Sequence, residues 1–476
     1  MTGSEYRWWV GVDWGGKAHQ MQILDEGGMR VREVTVPHHP SGLRELIDWL
    51  RQLCGDEMKR VAVGIETPRG PVVEALLDSG VHVYHLNPKQ LDRFRDRHSV
   101  AGAKDDRLDA FVLAVSLRSD FSCFRRVCCE DPLIVELREA SRLQSELLDQ
   151  QVRLSNRLGA QLHRYWPQLL ELVPGADEPW LWSLLQRAAR PELARKLSPA
   201  AVSKLLRQHR IRRFDAAHLI SVLRQPALTV APGTIAAATK HGVLLVEQLQ
   251  VVHRQHQECS AWIERLLAHL SAEHDYPEQP RQHRDAEILL SMPGVGKVVA
   301  AAVLGEAPQA IADRDYQLLR ALTGVAPVTR ASGKSRRVTM RRACSARLRY
   351  ALYHWALNSL RLDTGSRRRY DALRQSGHSH AHALRILSDR HLRILMAMLR
   401  QQTLYRGGGT EEQGSADRQP PSAADPSPRR RGCGSCGNPR SGFPRDAEGY
   451  RVAVERQPST SRQLPQAGLE PWLQGP

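Results

Sequence analysis

The chain has 476 residues, more than one ordinary hydrophobic core takes in, so two or three domains are expected. Its 68 Lys and Arg against 51 Asp and Glu leave a net charge of +17. Arginine predominates, the side chain that grips phosphate with two prongs, so a polyanionic partner is expected over the plainer alternative of a merely basic soluble protein. Met1–Val10 lacks a charged-then-apolar leader pattern and no stretch reaches roughly 18 apolar residues. With only eight cysteines, this argues against secreted, membrane and disulfide-stapled classes and leaves a cytoplasmic protein.

In chain order, residues 6–125 read as an α/β domain. Short β-rich runs at Trp8–Gly15, Met21–Asp25 and Val31–Val36, broken by glycine, predict three antiparallel strands. A helix over Ser41–Leu53 follows, with Ser41 as its cap and Leu43, Leu46, Ile47 and Leu50 on one face. Val61–Glu66 is a continuous apolar run of the kind buried parallel strands show. A second helix near Pro71–Ser79 leads to a strand at Val81–Leu86. Three strands, helix, strand, helix, strand is the order of an RNase H-like fold.

Residues 132–275 read as helical. Leu133, Leu137, Leu143, Leu147, Leu154, Leu158 and Leu162 recur at helical spacing, which suits a coiled coil used for dimerisation or a helix packed on its own domain. An insert over 174–235 reads as a small helical subdomain, and its Arg207–Arg213 end as a nucleic-acid contact or a solvated face. Residues 284–402 form a third, helical region. The tail over 406–476, poor in aliphatics, is expected to be disordered, and its Cys433 and Cys436 are a weak zinc signal without a second pair.

Four carboxylates stand out. Asp13 ends the first strand in GVDWGGK and Glu66 the later strand in GIETPRG; in an RNase H-like sheet those strands are neighbours. In AKDDRLDA, Asp106 and Asp109 are three apart, which puts them on one helical face, roughly 5–6 Å apart. Asp105 turns away from that pair. Clustered carboxylates repel unless cations lie between them, and two Mg²⁺ ions about 3.5–4 Å apart, or Mn²⁺ in their place, would polarise a phosphodiester. Alone, each motif reads as easily as a turn or a solvated helix start. GVDWGGK also resembles the phosphate loop of actin-like sugar kinases, but their second phosphate loop and adenosine motif are missing.

Further on, Pro293-Gly294-Val295-Gly296-Lys297 lies between two apolar helical runs, a helix-hairpin-helix signal in which Gly294, Gly296 and Lys297 would approach a DNA phosphate. The alternative is a tight turn between packed helices. TRASGKSRR places Ser332 and Gly333 among Arg330, Lys334, Arg336 and Arg337, with Arg341 and Arg342 behind. Guanidinium groups stabilise a pentacovalent phosphate, so the loop suits either a serine nucleophile or a plain phosphate contact.

Taken with SMPGVGKVVAAAVLGE, LTGVAPVTRASGKSRR and RRACSARLRYALYHWA, these motifs span roughly residues 8–400, and the chain resembles the DEDD transposases of the IS110 insertion-sequence family, which includes Piv-like invertases. The resemblance implies a RuvC-like domain with Asp13, Glu66, Asp106 and Asp109 as a Mg²⁺-binding tetrad. It further implies that Ser332 attacks double-stranded DNA to form a phosphoserine, with Ser335 the rival nucleophile. It also implies a composite site between protomers, a dimer pairing into a tetramer on DNA, a structured bridge RNA as guide, and association with the nucleoid in action. The chain departs from the family at Asp105, where Ser or Thr is usual, and at Ser345, where Asn is common. The competing expectations are a RuvC-like junction nuclease that uses water, and a binding protein of a decayed element.

Overall fold

Glycine and alternation shape the sheet that opens the chain. The computed structural model describes residues 5–55, 57–97, 105–127, 131–272, 280–333 and 335–406. Strands β1 (Trp8–Asp13), β2 (Ala18–Leu24) and β3 (Arg30–Pro37) form an antiparallel meander. After α1 (Pro40–Cys54), β4 (Val61–Ile65) joins β1 in parallel; after α2 (Pro71–Asp78), β5 (His82–His85) joins β4 in parallel. Helices α3 (Pro88–Arg95) and α4 (Asp106–Ser119) precede β6 (Arg125–Val127), which pairs antiparallel with β5. The order across the sheet is β3-β2-β1-β4-β5-β6.

Side chains alternate between two apolar layers, as a pleated strand requires. Val10, Val12, Val63 and Ile65 pack with Leu46 and Leu50 of α1 and Val72, Val73 and Leu76 of α2. Trp9, Ala62 and Tyr84 point the other way, onto Val112, Leu113 and Leu117 of α4. At Gly11 a β-carbon would lie 1.9 Å from the Ala110 carbonyl oxygen and 2.6 Å from the Ala114 nitrogen. Only glycine therefore admits the backbone of α4 against β1. The cap of α1 differs from the expected Ser41: His39 accepts from the Ser41 N–H, because Pro40 takes the first helical position.

Next come two long helices, α5 (Pro132–Tyr165) and, beyond the short helices, α11 (Pro232–Ser271). They run antiparallel, with Gln144 donating to Ser260 at 2.8 Å and Arg157 reaching His241 at 3.4 Å. Leu137, Leu147, Leu158 and Leu162 are buried within the chain itself. Between them α6 (Gln168–Leu172), α7 (Pro179–Arg187), α8 (Pro191–Ala194), α9 (Pro199–Gln208) and α10 (Ala216–Arg224) close over Trp166, Trp180 and Trp182. Arg213 is tied to Glu178 at 2.7 Å and to the Leu172 carbonyl at 3.1 Å.

The chain divides into two compact units between Ser260 and Ala261. The second contains α12 (Pro280–Ser291), α13 (Lys297–Glu306), α14 (Pro308–Ala312) and α15 (Tyr316–Thr323). A hairpin of β7 (Val328–Ser332) and β8 (Ser335–Thr339) follows, then α16 (Ala346–Leu362), α17 (Thr364–Gln375) and α18 (His380–Gln401). Trp355 is fully buried and stacks on His391 with centroids 5.2 Å apart. Among the described residues no helix is long and apolar enough to cross a membrane. The tail expected to be disordered, with Cys433 and Cys436, lies outside the described residues from 407 on.

Candidate active site

Asp13 and Glu66 meet at one edge of the sheet. Val12 pairs with Ile65 in the parallel register of β1 and β4, so the next residues, Asp13 and Glu66, emerge side by side at the carboxyl ends of both strands. Alternation puts Asp13 on the side of Trp9 and Gly11, and Glu66 on the side of Ala62 and Gly64, which is the side α4 covers. The direction of α4 follows from its far end. Arg118 donates to the Glu26 carbonyl at 3.1 Å in the β2–β3 turn, beside the start of β1, where Trp9 pairs with Leu24. The first turn of α4, with Asp106 and Asp109, therefore projects toward the edge that carries Asp13 and Glu66. Asp105 is the cap of α4, accepting from the Arg107 N–H at 3.2 Å.

The two acids of α4 differ in surroundings. Asp106 is exposed, whereas Asp109 is 3% exposed and receives the Arg95 Nε at 2.6 Å. Arg95 also contacts Asp92 at 2.8 Å, and hydrogen bonding to Asp109 raises its pKa further. Among the described residues no group of three or more His, Cys, Asp or Glu is arranged to hold a metal ion. The donor chemistry nonetheless suits a hard cation, since all four side chains offer carboxylate oxygen. A cation already stands at Asp109, the guanidinium of Arg95.

Sequence reasoning missed Arg95, which lies in a polar helix with no apolar periodicity to mark it. It also passed over His85, at the end of β5 beside Ile65. Burial lowers the pKa of His85 and so keeps the ring neutral, while a hydrogen bond to the Glu66 backbone opposes the shift. Its position on the carboxyl edge was the signal that could have found it. Trp14, in the first motif, stacks on His38 and fills the space where a β-carbon of Gly70 would stand, 2.3 Å from the ring. That contact ties the loop after Glu66 to the end of β1.

In the second unit Ser332 and Ser335 face each other as the last pair of the hairpin, bridged by Gly333 at φ +53° and by residue 334. Opposed residues in an antiparallel pair share a face, so Arg330 and Arg337 lie on the same side as both serines, and Arg336 opposes Ala331 on the other. Ser332, Arg330, Arg336, Arg337 and Arg342 are exposed and Arg341 is half-buried; Lys334 lies outside the described residues. Gly294, at φ +86°, is buried against α16, and a β-carbon there would stand 2.6 Å from the Ser359 nitrogen. Close helix packing thus accounts for this glycine. Gly296 is exposed at the start of α13, with open space around it, and Lys297 pairs with Glu264.

Two family models match the chain. Residues 10–167 match one described as a transposase, of the DEDD IS110 type, and residues 286–371 match the transposase family IS116/IS110/IS902. A Streptomyces coelicolor protein named for the IS117 mini-circle is 29% identical over 393 residues, covering 80% of this chain and 91% of the relative. The chain belongs to the IS110 family of transposases. The 42 kDa protein of insertion element IS900 from Mycobacterium paratuberculosis is 27% identical over 410 residues, 84% of this chain and 98% of the relative. The y4uE protein of Sinorhizobium fredii is 44% identical over 209 residues, and the match spans 58% of that relative's length. In this transposase the first matched segment contains all four carboxylates and the second contains the serine hairpin.

Proposed function

We propose that this transposase cuts and rejoins double-stranded DNA by attack of Ser332 on a backbone phosphate. The observation that carries the reading is the hairpin tip, where an exposed serine shares a face with Arg330 and Arg337. The Oγ–H proton leaves as Oγ bonds to phosphorus, the strand P–O bond breaks, and the departing oxygen takes up a proton as a free hydroxyl. Rejoining reverses this: a hydroxyl of the recipient strand attacks the phosphoserine, and Ser332 recovers its proton. Arg330 and Arg337 would balance the charge on the equatorial oxygens.

The six-stranded sheet reads as RNase H-like, of the RuvC kind, with Asp13, Glu66, Asp106 and Asp109 as the ligands of Mg²⁺. When bound, Mg²⁺ would polarise the phosphodiester and assist departure of the leaving oxygen. For Asp109 to serve, Arg95 must release it, and Asp92 on the same helix is the acceptor at hand. A structured guide RNA and assembly as a dimer pairing into a tetramer belong to the same proposal, supported by family membership and the net charge of +17.

The test is a denaturing gel of labelled DNA with protein, candidate guide RNA and Mg²⁺, with Ser332→Ala and Asp13→Ala run alongside. A protein–DNA adduct formed by the unmutated protein and lost in both variants is the expected result. Cleavage without an adduct, persisting in Ser332→Ala, would overturn the serine mechanism in favour of a water-using metal nuclease.

A further inference from the structure

We propose that the turn after α9, in the helical insert, is a docking surface for duplex DNA formed by Arg187, Lys204, Arg207, Arg210 and Arg212. This rests on the reading above only in that the transposase binds DNA, and takes nothing from the serine chemistry. Residues 187–213 hold nine Arg and Lys against one acid, Glu192. The structure sorts these cations. Arg195 donates to the Gln225 carbonyl at 2.7 Å, and Arg213 is taken up by Glu178 and the Leu172 carbonyl. The five named above are exposed, and none is paired with an acid among the described residues.

Local folding brings them together. Helix α9 buries Val202, Leu205 and Leu206, which leaves Lys204 and Arg207, three residues apart, on the solvent side. The helix ends in a Schellman turn: the Ile211 N–H donates to the Leu206 carbonyl at 2.9 Å and the Arg210 N–H to the Arg207 carbonyl at 3.1 Å. Ile211 packs on the tryptophan core, and Arg210 takes the left-handed position at φ +55°. Glycine is the usual residue there, so Arg210 is held against backbone preference. His209 Nε2 and Ser183 Oγ meet at 3.0 Å, which fastens the turn to α7, and Arg187 lies one turn beyond Ser183 on that helix. Burial, and then the charge of Arg187, lower the pKa of His209, so Arg187 stands beside the same turn.

A helix dipole favours a cation in its last turn, and Arg207 serves α9 as Arg187 serves α7; Arg210 and Arg212 lie past the helix end and exceed that need. The acids next to the turn are engaged: Asp215 caps α10 through the His218 N–H at 2.8 Å, and Glu178 accepts from Trp180 Nε1 as well as from Arg213. The complementary charge must therefore come from outside the fold. Trp166, Trp180 and Trp182 are buried, so the surface offers charge without the exposed rings on which single strands stack. A duplex backbone, which is gripped through its phosphates alone, fits it. The 34 residues of α5, about 50 Å of helix, lead from the sheet domain to the insert, so the contact anchors the duplex away from the carboxylate edge.

The experiment measures binding of a random-sequence DNA duplex to the full chain over a range of salt concentrations. Arg207→Gln and Arg210→Gly should each lower the slope of log K against log salt by about one, and the double variant by about two. Arg210→Gly should also melt no lower than the unmutated protein, since glycine suits the left-handed position, so its loss of affinity cannot come from unfolding. Arg153→Gln, exposed on α5, should keep the slope. Unchanged slopes in both single variants overturn the surface, and an equal fall in Arg153→Gln does so too, by making the effect a diffuse field. A lowered slope for a structured RNA beside an unchanged one for DNA overturns the DNA assignment in favour of RNA. Absence of a Ser332 adduct in the unmutated protein, with the slope changes as expected, would sink the serine mechanism and leave the surface standing.

Discussion

Asp109 is 3% exposed and meets a guanidinium from its own domain, whereas every described residue of the serine hairpin from Thr329 to Val338 is exposed. The carboxylate edge is built into a sheet covered by helices on both faces, and Gly11 lets α4 settle directly on β1. An isolated two-stranded hairpin is marginal in water, and this one sets Arg330 directly across from Arg337, which costs further stability. The acidic region therefore has an internal cation, while the described residues of the basic hairpin from Thr329 to Val338 stand in solvent. The contrast teaches that the fold fixes the acids in advance and, on the function proposed above, leaves the serine to be organised by bound nucleic acid.

The largest expected effect breaks the scaffold of the acids. Gly11→Val places side-chain atoms where the Ala110 carbonyl already is, and backbone on both sides leaves nothing free to yield. Stability should fall by at least about 3 kcal/mol, the upper end of overpacking costs, read as a lowered Tm or a failure to fold. A Tm within a degree or two of the unmutated protein would mean that α4 does not rest on β1. Next comes the internal cation. Arg95→Met strands a buried carboxylate at Asp109, and breaking such a pair costs about 3 kcal/mol or more. Millimolar Mg²⁺ should restore more Tm in this variant than in the unmutated protein, because the metal replaces the lost charge. If Mg²⁺ helps both equally, Asp109 does not take part in metal binding.

The sheet was legible because β1, β4 and β5 are largely buried runs and the strands are punctuated by glycine; β1 to β5 fall within a few residues of their predicted bounds. The carboxylates were legible because each ends a strand or opens a helix. The exception is β6, whose Arg125 and Arg126 are exposed at the sheet edge and so lack the alternation that marks a strand. Arg95 was hidden for a related reason: α3 is polar almost throughout, and its link to Asp109 spans 14 residues that no local pattern connects. Gly294 shows the opposite difficulty. Its Pro-Gly-Val-Gly setting reads equally as a phosphate turn or a packing turn, and only the approach of Trp355 and Ser359 from a helix some 60 residues on decides for packing.

The helical core of the second unit supplies a pH-dependent contrast. Burial lowers the pKa of His391 from 6.5 to about 4 where it stacks on Trp355 and bonds Ser366. A lowered pKa means that the unfolded chain takes up the proton first. The stability this neutral ring supports is thus full above pH 6.5, drains as pH falls, and is gone below about 4, a total of up to about 3 kcal/mol. His391→Gln should flatten that acid limb in a plot of Tm against pH. Hairpin variants should leave it unchanged, and an unaltered limb in His391→Gln would place the acid sensitivity elsewhere.

The smallest effect on stability separates the two regions most cleanly. Arg337→Gln removes a charge facing Arg330 from a strand that buries almost nothing, so the Tm should stay level or rise by the equivalent of roughly 0.5 kcal/mol. DNA affinity should nevertheless fall, with the salt slope reduced by about one as a phosphate contact is lost. Arg336→Gln, on the opposite face from the serines, should weaken binding while leaving the yield of serine adduct per bound DNA unchanged, whereas Arg337→Gln should lower that yield as well. Equal losses of yield in both variants would mean that the hairpin does not present one face to the strand, and that its arginines act only as a diffuse positive field.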